Sequence, residues 1–223
     1  MAVSVRTDED IQRDVLEELK WDPRVRPNEI GVAVKDGIVT LTGWVDSYLK
    51  KIAAEEDGHR VPGVKAVVND IEVRLPGSAE RTDADLAKAV LNALKWDAGI
   101  PTDKIDVTVS HGWVTLKGEV DYYFQKRDAE HAVERISGVR GVTNLLTVKP
   151  QPTPHDLKQQ IEQALVRNAE TDAKRITVEV QGSKVVLRGT VSSYAEKKAA
   201  EEVAWSAPGV TEVDNRIVVS LPV

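Results

Sequence analysis

Behind Thr7 the chain sets apolar side chains at Ile11, Val15, Leu16 and Leu19, the three-and-four spacing that puts them on one face of a helix. From Ile30 the period changes to two, with Ile30, Val32 and Val34, then Val39, Leu41, Gly43 and Val45 beyond the pair Asp36-Gly37. Alternation about a two-residue glycine turn predicts a β-hairpin with one buried face. A second helical stretch follows, and the segment closes on a strand carrying Val67, Ile71 and Val73.

The same pattern recurs twice more without a gap. Asp10, Asp85 and Asp156 fall in register, as do Leu19, Leu94 and Leu165, then Gly43, Gly118 and Gly189, then Tyr48, Tyr123 and Tyr194, and finally Asn69, Asn144 and Asn215. The copies span 7–76, 82–150 and 153–222, joined by the short linkers Gly77-Ser-Ala-Glu-Arg81 and Gln151-Pro152. Self-similarity at a fixed period is the signature of a repeat architecture.

Each copy opens on Thr-x-x-Asp, a capping box with a shorter acid in the usual Glu position, and Asp46, Asp121 and Ser192 suit the N-cap of the second helix. The predicted fold class is α+β, with three tandem αββαβ modules, each a three-stranded mixed sheet with two helices on one face. Strand two should run parallel to strand three across a right-handed crossover, with strand one antiparallel at the other edge. Gly43, Gly118 and Gly189 fall on the covered face, where the missing side chain is expected to let a helix approach. Gly63, Gly138 and Gly209 are expected to end the second helix. In the first copy Asp57-Gly58 stands where the others have Ala132-Val133 and Val203-Ala204. Glycine inside a helix costs about 1 kcal/mol relative to alanine, so that helix is expected to be looser there or repurposed.

Composition fits such modules. With 41% hydrophobic but only 4% aromatic residues, the cores must be built from aliphatic side chains. No apolar run reaches the length of a membrane span, and the start of the chain shows no basic head followed by an apolar stretch, so a cytoplasmic location is expected. The absence of cysteine rules out disulfides and thiol chemistry. A net charge of −6 argues against a general polyanion binder. Gly138-Val-Arg-Gly141 fits the Gly-x-x-Gly of an RNA-binding loop, but its second glycine does not recur, and no nucleic-acid partner is expected.

The strand-two glycine, the helix after it and the segments Gly63-Val64-Lys-Ala-Val67-Val-Asn69, Gly138-Val139-Arg-Gly-Val142-Thr-Asn144 and Gly209-Val210-Thr-Glu-Val213-Asp-Asn215 resemble the BON domain, a bacterial module named for osmotically inducible and nodulation proteins. The resemblance covers nearly the whole chain. It implies a non-enzymatic, often tandem αββαβ module that binds phospholipids and is linked to osmotic or envelope stress; one member of the family looks like a potassium sensor.

The four histidines do not support a shared catalytic or metal site, because His59, His111, His131 and His155 align with Glu134, Asp36, Glu56 and Ala84. No cofactor is expected. The recurring Asp10, Asp85 and Asp156 are explained by capping, and the recurring Asn by hydrogen bonds to backbone. The start of the second helix repeats an aromatic followed by basic residues: Tyr48, Lys50 and Lys51; Tyr123, Phe124, Lys126 and Arg127; Tyr194, Lys197 and Lys198. An anionic phospholipid surface would accept such a set, while a solvated helix face would show the same letters. Trp21 and Trp96 are expected to pack in the core or between modules. Trp44 and Trp113 fall by parity on the uncovered sheet face, a surface for another module or a protein partner. The functional expectation is a peripheral binding or scaffold protein without catalysis. The alternative is a sensor whose modules close around a small ligand or ion.

Overall fold

The first-helix pattern folds as its periodicity requires. In the computed structural model, which describes residues 6–25, 29–151, 155–168 and 173–220, α1 (Asp8–Trp21) buries Ile11, Val15 and Leu19. The equivalent residues Leu86, Val90 and Leu94 are buried in α3 (Asp83–Trp96), and Leu157, Ile161 and Leu165 in α5 (Leu157–Arg167). A capping box sets the first start, and a threonine N-cap the second. Thr7 Oγ1 accepts from the Asp10 backbone N–H at 3.2 Å and the Asp10 carboxylate accepts from the Thr7 N–H at 3.3 Å. Thr82 Oγ1 accepts likewise from the Asp85 N–H. Thr153 lies outside the described residues; Asp156 is itself the N-cap of α5.

Each first helix leads into an antiparallel hairpin: β1 (Ile30–Lys35) with β2 (Ile38–Val45), β4 (Ile105–Ser110) with β5 (Trp113–Val120), and β7 (Ile176–Gln181) with β8 (Lys184–Val191). Asp36 and His111 adopt φ of 54° and 52°, followed by Gly37 and Gly112 at 77° and 80°, the paired positive angles of a tight hairpin turn. The second helices α2 (Tyr48–Arg60), α4 (Tyr123–Glu134) and α6 (Tyr194–Trp205) carry the chain over to β3 (Ala66–Val73), β6 (Gly141–Val148) and β9 (Glu212–Val219). β6 and β9 run parallel to β5 and β8. The result is three separate three-stranded sheets, each with its hairpin's second strand in the centre.

By packing, the chain falls into two compact units. One gathers residues up to Gly43, Ala53–Ile71 and Gln151 onward; the other gathers Trp44–Ile52 and Glu72–Pro150. The core of the second unit joins Leu86, Val90 and Leu94 to Val114, Leu116 and Val120, with Ala129 and Val133 from α4 and Leu146 from β6. In the first unit the third module repeats this with Leu157, Ile161, Leu165, Val185, Leu187, Val191, Ala200, Ala204 and Ile217. Small alanines on the second helices bring those helices close to the sheet.

Four expectations need correction, the last being where the second helices end. Gly43, Gly118 and Gly189 do not make room for a helix. A Cβ on each would stand 2.0 Å from the carbonyl oxygen of Glu29, Lys104 or Arg175, at the start of the antiparallel partner strand. Their φ of 114°, 139° and 144° also disfavours any side chain, so glycine is required by backbone against backbone. The second helices start one residue later than expected, with Tyr122 and Ser193 as N-caps of α4 and α6. Asp121 instead pairs with Lys104 at 2.9 Å, and Asp46 with Lys50 at 2.7 Å. Trp21 and Trp96 are not packed inside: they are 84% and 89% exposed.

The second helices end at Arg60, Glu134 and Trp205, three or four residues before Gly63, Gly138 and Gly209. Those glycines adopt φ of 92°, 102° and 81° and turn the chain into its last strand.

Candidate functional site

The recurring polar residues are mostly engaged in holding each module together. Asn144 Nδ2 donates to the Lys126 carbonyl at 2.8 Å and to Glu130 Oε2 at 3.0 Å, and its Oδ1 accepts from the Leu146 N–H. Asn215 makes the same set with Lys197, Glu201 and Ile217, and Asn69 reaches Glu55 and Ile71. Each Asn thus bolts its second helix to its third strand, and the matching glutamates Glu55, Glu130 and Glu201 went unremarked in the sequence. Asp8 and Asp83 also escaped notice. Their carboxylates accept from the backbone N–H groups of Asp36 and Gly37, or of His111 and Gly112, at 2.8–2.9 Å, clamping the hairpin turn to the start of the first helix. Those two N–H bonds hold the Asp83 carboxyl below its ordinary range.

The aromatic and basic starts of the second helices meet different surroundings in each copy. Tyr48 is half-buried and packs against the core of the second module. Lys50 is tied to Asp46, and Lys51 is half-buried. Tyr194 is half-buried and stacks on His59 with ring centres 3.6 Å apart; burial raises its hydroxyl, helped by the charges of Glu201 and Glu55. Lys197 is half-buried and Lys198 exposed on the same helix.

The second copy is the one that shows its aromatics to solvent. Tyr123 is half-buried, but Phe124 is 45% exposed and stacks on Tyr122, itself 53% exposed, with centroids 5.8 Å apart. Gln125 fixes this corner: its Oε1 accepts from the N–H groups of Asp121 and Tyr122, and its Nε2 donates to the Gly99 carbonyl. That bond ties the start of α4 to the loop leaving α3, three residues beyond the exposed Trp96. Lys126 and Arg127 follow directly, Arg127 lying 3.3 Å from Asp128. Tyr122 was missed because it has no counterpart in the other copies, and the exposure of Trp96 because helix-end tryptophan reads as packing.

The open sheet faces differ as well. Trp113 points away from the buried Val114 and Leu116, donates from Nε1 to Thr143 Oγ1 at 2.7 Å and lies across Gly141, where a Cβ would come within 2.4 Å of the indole. Thus Gly141 belongs to a strand surface. Trp44 is half-buried with the Arg74 guanidinium 5.8 Å above its ring. On the third module the same face is crossed by charge pairs: Lys184 with Glu212 and Asp214, Arg216 with Asp214, and Arg188 with Glu179. Val186 beneath them is 3% exposed.

Among the described residues no cluster of three metal-ligating side chains occurs, and no helix is long and apolar enough to cross a membrane. The tandem αββαβ units, their strand-two glycines and their Asn bolts define the class, and the BON domain matches residues 7–74, 82–150 and 155–220: the chain belongs to the BON domain family. It is 30% identical over 129 residues to the osmotically-inducible protein Y of Escherichia coli (strain K12), an alignment covering 56% of this chain and 64% of that protein. Among solved structures it is similar to two structures of CdsD, a structural protein of the type III secretion system of Chlamydia trachomatis. One, the C-terminal domain, shows 13% identity and a TM-score of 0.26 over 96% of this chain and 100% of that one. The other shows 14% identity and a TM-score of 0.27 over 96% and 93%.

Proposed function

We propose that the chain is a non-enzymatic, stress-related binding protein that docks peripherally on anionic phospholipid through the exposed aromatic edge of its second module. The observation that carries this reading is the exposed Tyr122–Phe124 stack, tied through Gln125 to the loop that follows the exposed Trp96, with Lys126 and Arg127 on the helix that starts there. Large aromatics left in water at helix ends, with cations behind them, suit the layer between headgroup and acyl chain. Burial of one such side chain is worth about 1.5–3 kcal/mol, and each cation near an anionic surface about 1 kcal/mol. Together they give reversible, salt-sensitive attachment. The first module is distinctly more acidic and is repelled by the same surface. Kinship with an osmotically inducible protein supports the stress connection. In this reading Tyr48 and Tyr194 serve packing between modules, Lys50 is held by Asp46, Lys51, Lys197 and Lys198 make no lipid contact, and the Trp113 and Trp44 faces are left for a protein partner.

Flotation with anionic and with neutral vesicles tests the reading. The chain should float with the anionic vesicles only, and Trp96→Ala with Phe124→Ala should abolish flotation without loss of helical signal. Unchanged flotation of that double variant would place the lipid contact elsewhere, and no flotation of the parent chain would reject it.

A further inference from the structure

Helix α2 is where the first module departs most from its copies. Asp57 takes the register position of Ala132 and Val203 and is fully buried. Its Oδ1 accepts from Arg60 Nη1 at 2.8 Å, while Oδ2 has no hydrogen-bond partner among the described residues. Asp22, 7% exposed, is gripped by Arg24 through Nε and Nη2 at 2.6–3.1 Å. Glu18 of α1 lies 3.7 Å from Arg60, and Glu56 of α2 lies 3.5 Å from Arg24. Two guanidinium groups therefore face four carboxylates. Two residues beyond Asp57, His59 Nδ1 is also buried without a partner. Its ring stacks on Tyr194 of the third module at 3.6 Å and 13°. These are the buried side-chain polar atoms left unpaired among the described residues, and both belong to this half-helix.

We propose that the C-terminal half of α2 is a proton-gated joint: with Asp57 protonated the helix closes on the first module and presents His59 to Tyr194, and loss of that proton loosens both.

Leaving water and the nearby charge of Asp22 raise the Asp57 carboxyl to about 7, against the pull of Arg60 and Arg24, with Glu18 adding to the rise. An exposed Asp57 would return to its ordinary 3.8. Closure is therefore fully favoured below 3.8 and loses ground as pH rises to about 7, after which the loss is complete. His59 acts in the opposite sense. Burial holds its imidazole below the ordinary 6.5, opposed by Glu55 and reinforced by Lys198 and Lys197, so its share is present above 6.5 and lost as pH falls. Above that point the carboxyl alone sets the trend.

The chain has no cysteine, so single replacements report opening by thiol labelling. Ala54→Cys places the reporter at a fully buried site of α2, and Ala129→Cys places it at the register equivalent in α4, equally buried beside Ala132. Protection, normalised to an unfolded peptide, should fall by up to about tenfold between pH 6 and pH 8 at position 54, His59 offsetting part of the fall at the acid end, and stay level at position 129. Asp57→Asn should abolish the fall; Asp57→Ala, which copies position 132, serves should the amide not fold. Carboxyl carbon NMR of the otherwise unaltered chain should show Asp57 titrating near 7. Equal protection at pH 6 and 8, an equal fall at both sites, a fall that survives the Asp57 substitutions, or ionisation of Asp57 near 4 would each overturn the proposal.

Discussion

Replacing Gly118 by alanine isolates what the strand-two glycine does. At φ 139° the residue sits where non-glycine backbones are strained, and a Cβ there would lie 2.0 Å from the Lys104 carbonyl oxygen and 3.1 Å from its carbon. Both neighbours are backbone, paired in register through Ile105 opposite Gly118, so relief requires shifting the start of β4. Strain at such a φ costs about 1–3 kcal/mol, and an overpacked contact about 1–3 kcal/mol more. Gly118→Ala should therefore destabilise the second module by roughly 2–6 kcal/mol, a large share of the 5–15 kcal/mol typical of a whole domain. Because the conflict arises at Cβ, Gly118→Val should cost little beyond Gly118→Ala. Urea unfolding of the full chain, followed by amide exchange in β5, reads both. Were helix packing the constraint, alanine would be nearly silent and valine severe, and that outcome would refute the backbone argument.

Other outcomes follow from single contacts. Asn144→Ala removes bonds to Lys126, Glu130 and Leu146 and should lower stability by about 1–3 kcal/mol, with amide exchange in α4 and β6 rising first. Asp83→Asn should weaken the clamp on the His111-Gly112 turn. Since the folded Asp83 carboxyl lies below 3.8, its contribution is present above that pH and lost as pH falls through the folded value, so the acid limb of unfolding should flatten in the variant. Lys126→Glu with Arg127→Glu should remove vesicle binding at low salt while leaving circular dichroism unchanged; full binding would assign the attraction to other groups.

The fold was legible because its signals are periodic and repeated. A change from helical to alternating spacing, a glycine turn and a crossover length leave few topologies, and three copies in register remove accidents. Geometry that depends on pairs was not legible. Gly43 and Gly118 share the parity of the covered face, yet their constraint comes from the carbonyl of a residue preceding the opposite strand. Asp8 and Asp83 look like helix-start acids, and only the fold brings hairpin N–H groups to them. The second-helix tyrosines repeat in sequence, but Tyr48 and Tyr194 are half-buried against other modules. Exposure at Trp96 depends on what lies beyond the helix end, which the local pattern does not encode.

The repeat also works as an internal comparison, since three sequences meet the same fold in one chain. Where all copies agree, as at the strand-two glycines and the Asn bolts, the residue answers a demand of the backbone. Where one copy breaks ranks at a buried position, the fold does not require the change. Ala132 and Val203 show that α2 would pack with an apolar residue at 57, and burying a carboxyl there carries a desolvation cost that neither copy bears. By the same comparison, Arg167 shows that a first helix can end without the tryptophan that Trp21 and Trp96 leave in solvent. Lys184 pairs with Glu212 over the open face of the third module, where the second has Trp113 lying across Gly141. Departures of this kind mark where one scaffold has been given different surfaces, and they make α2 of the first module and the Tyr122–Phe124 corner of the second the places at which to test for function.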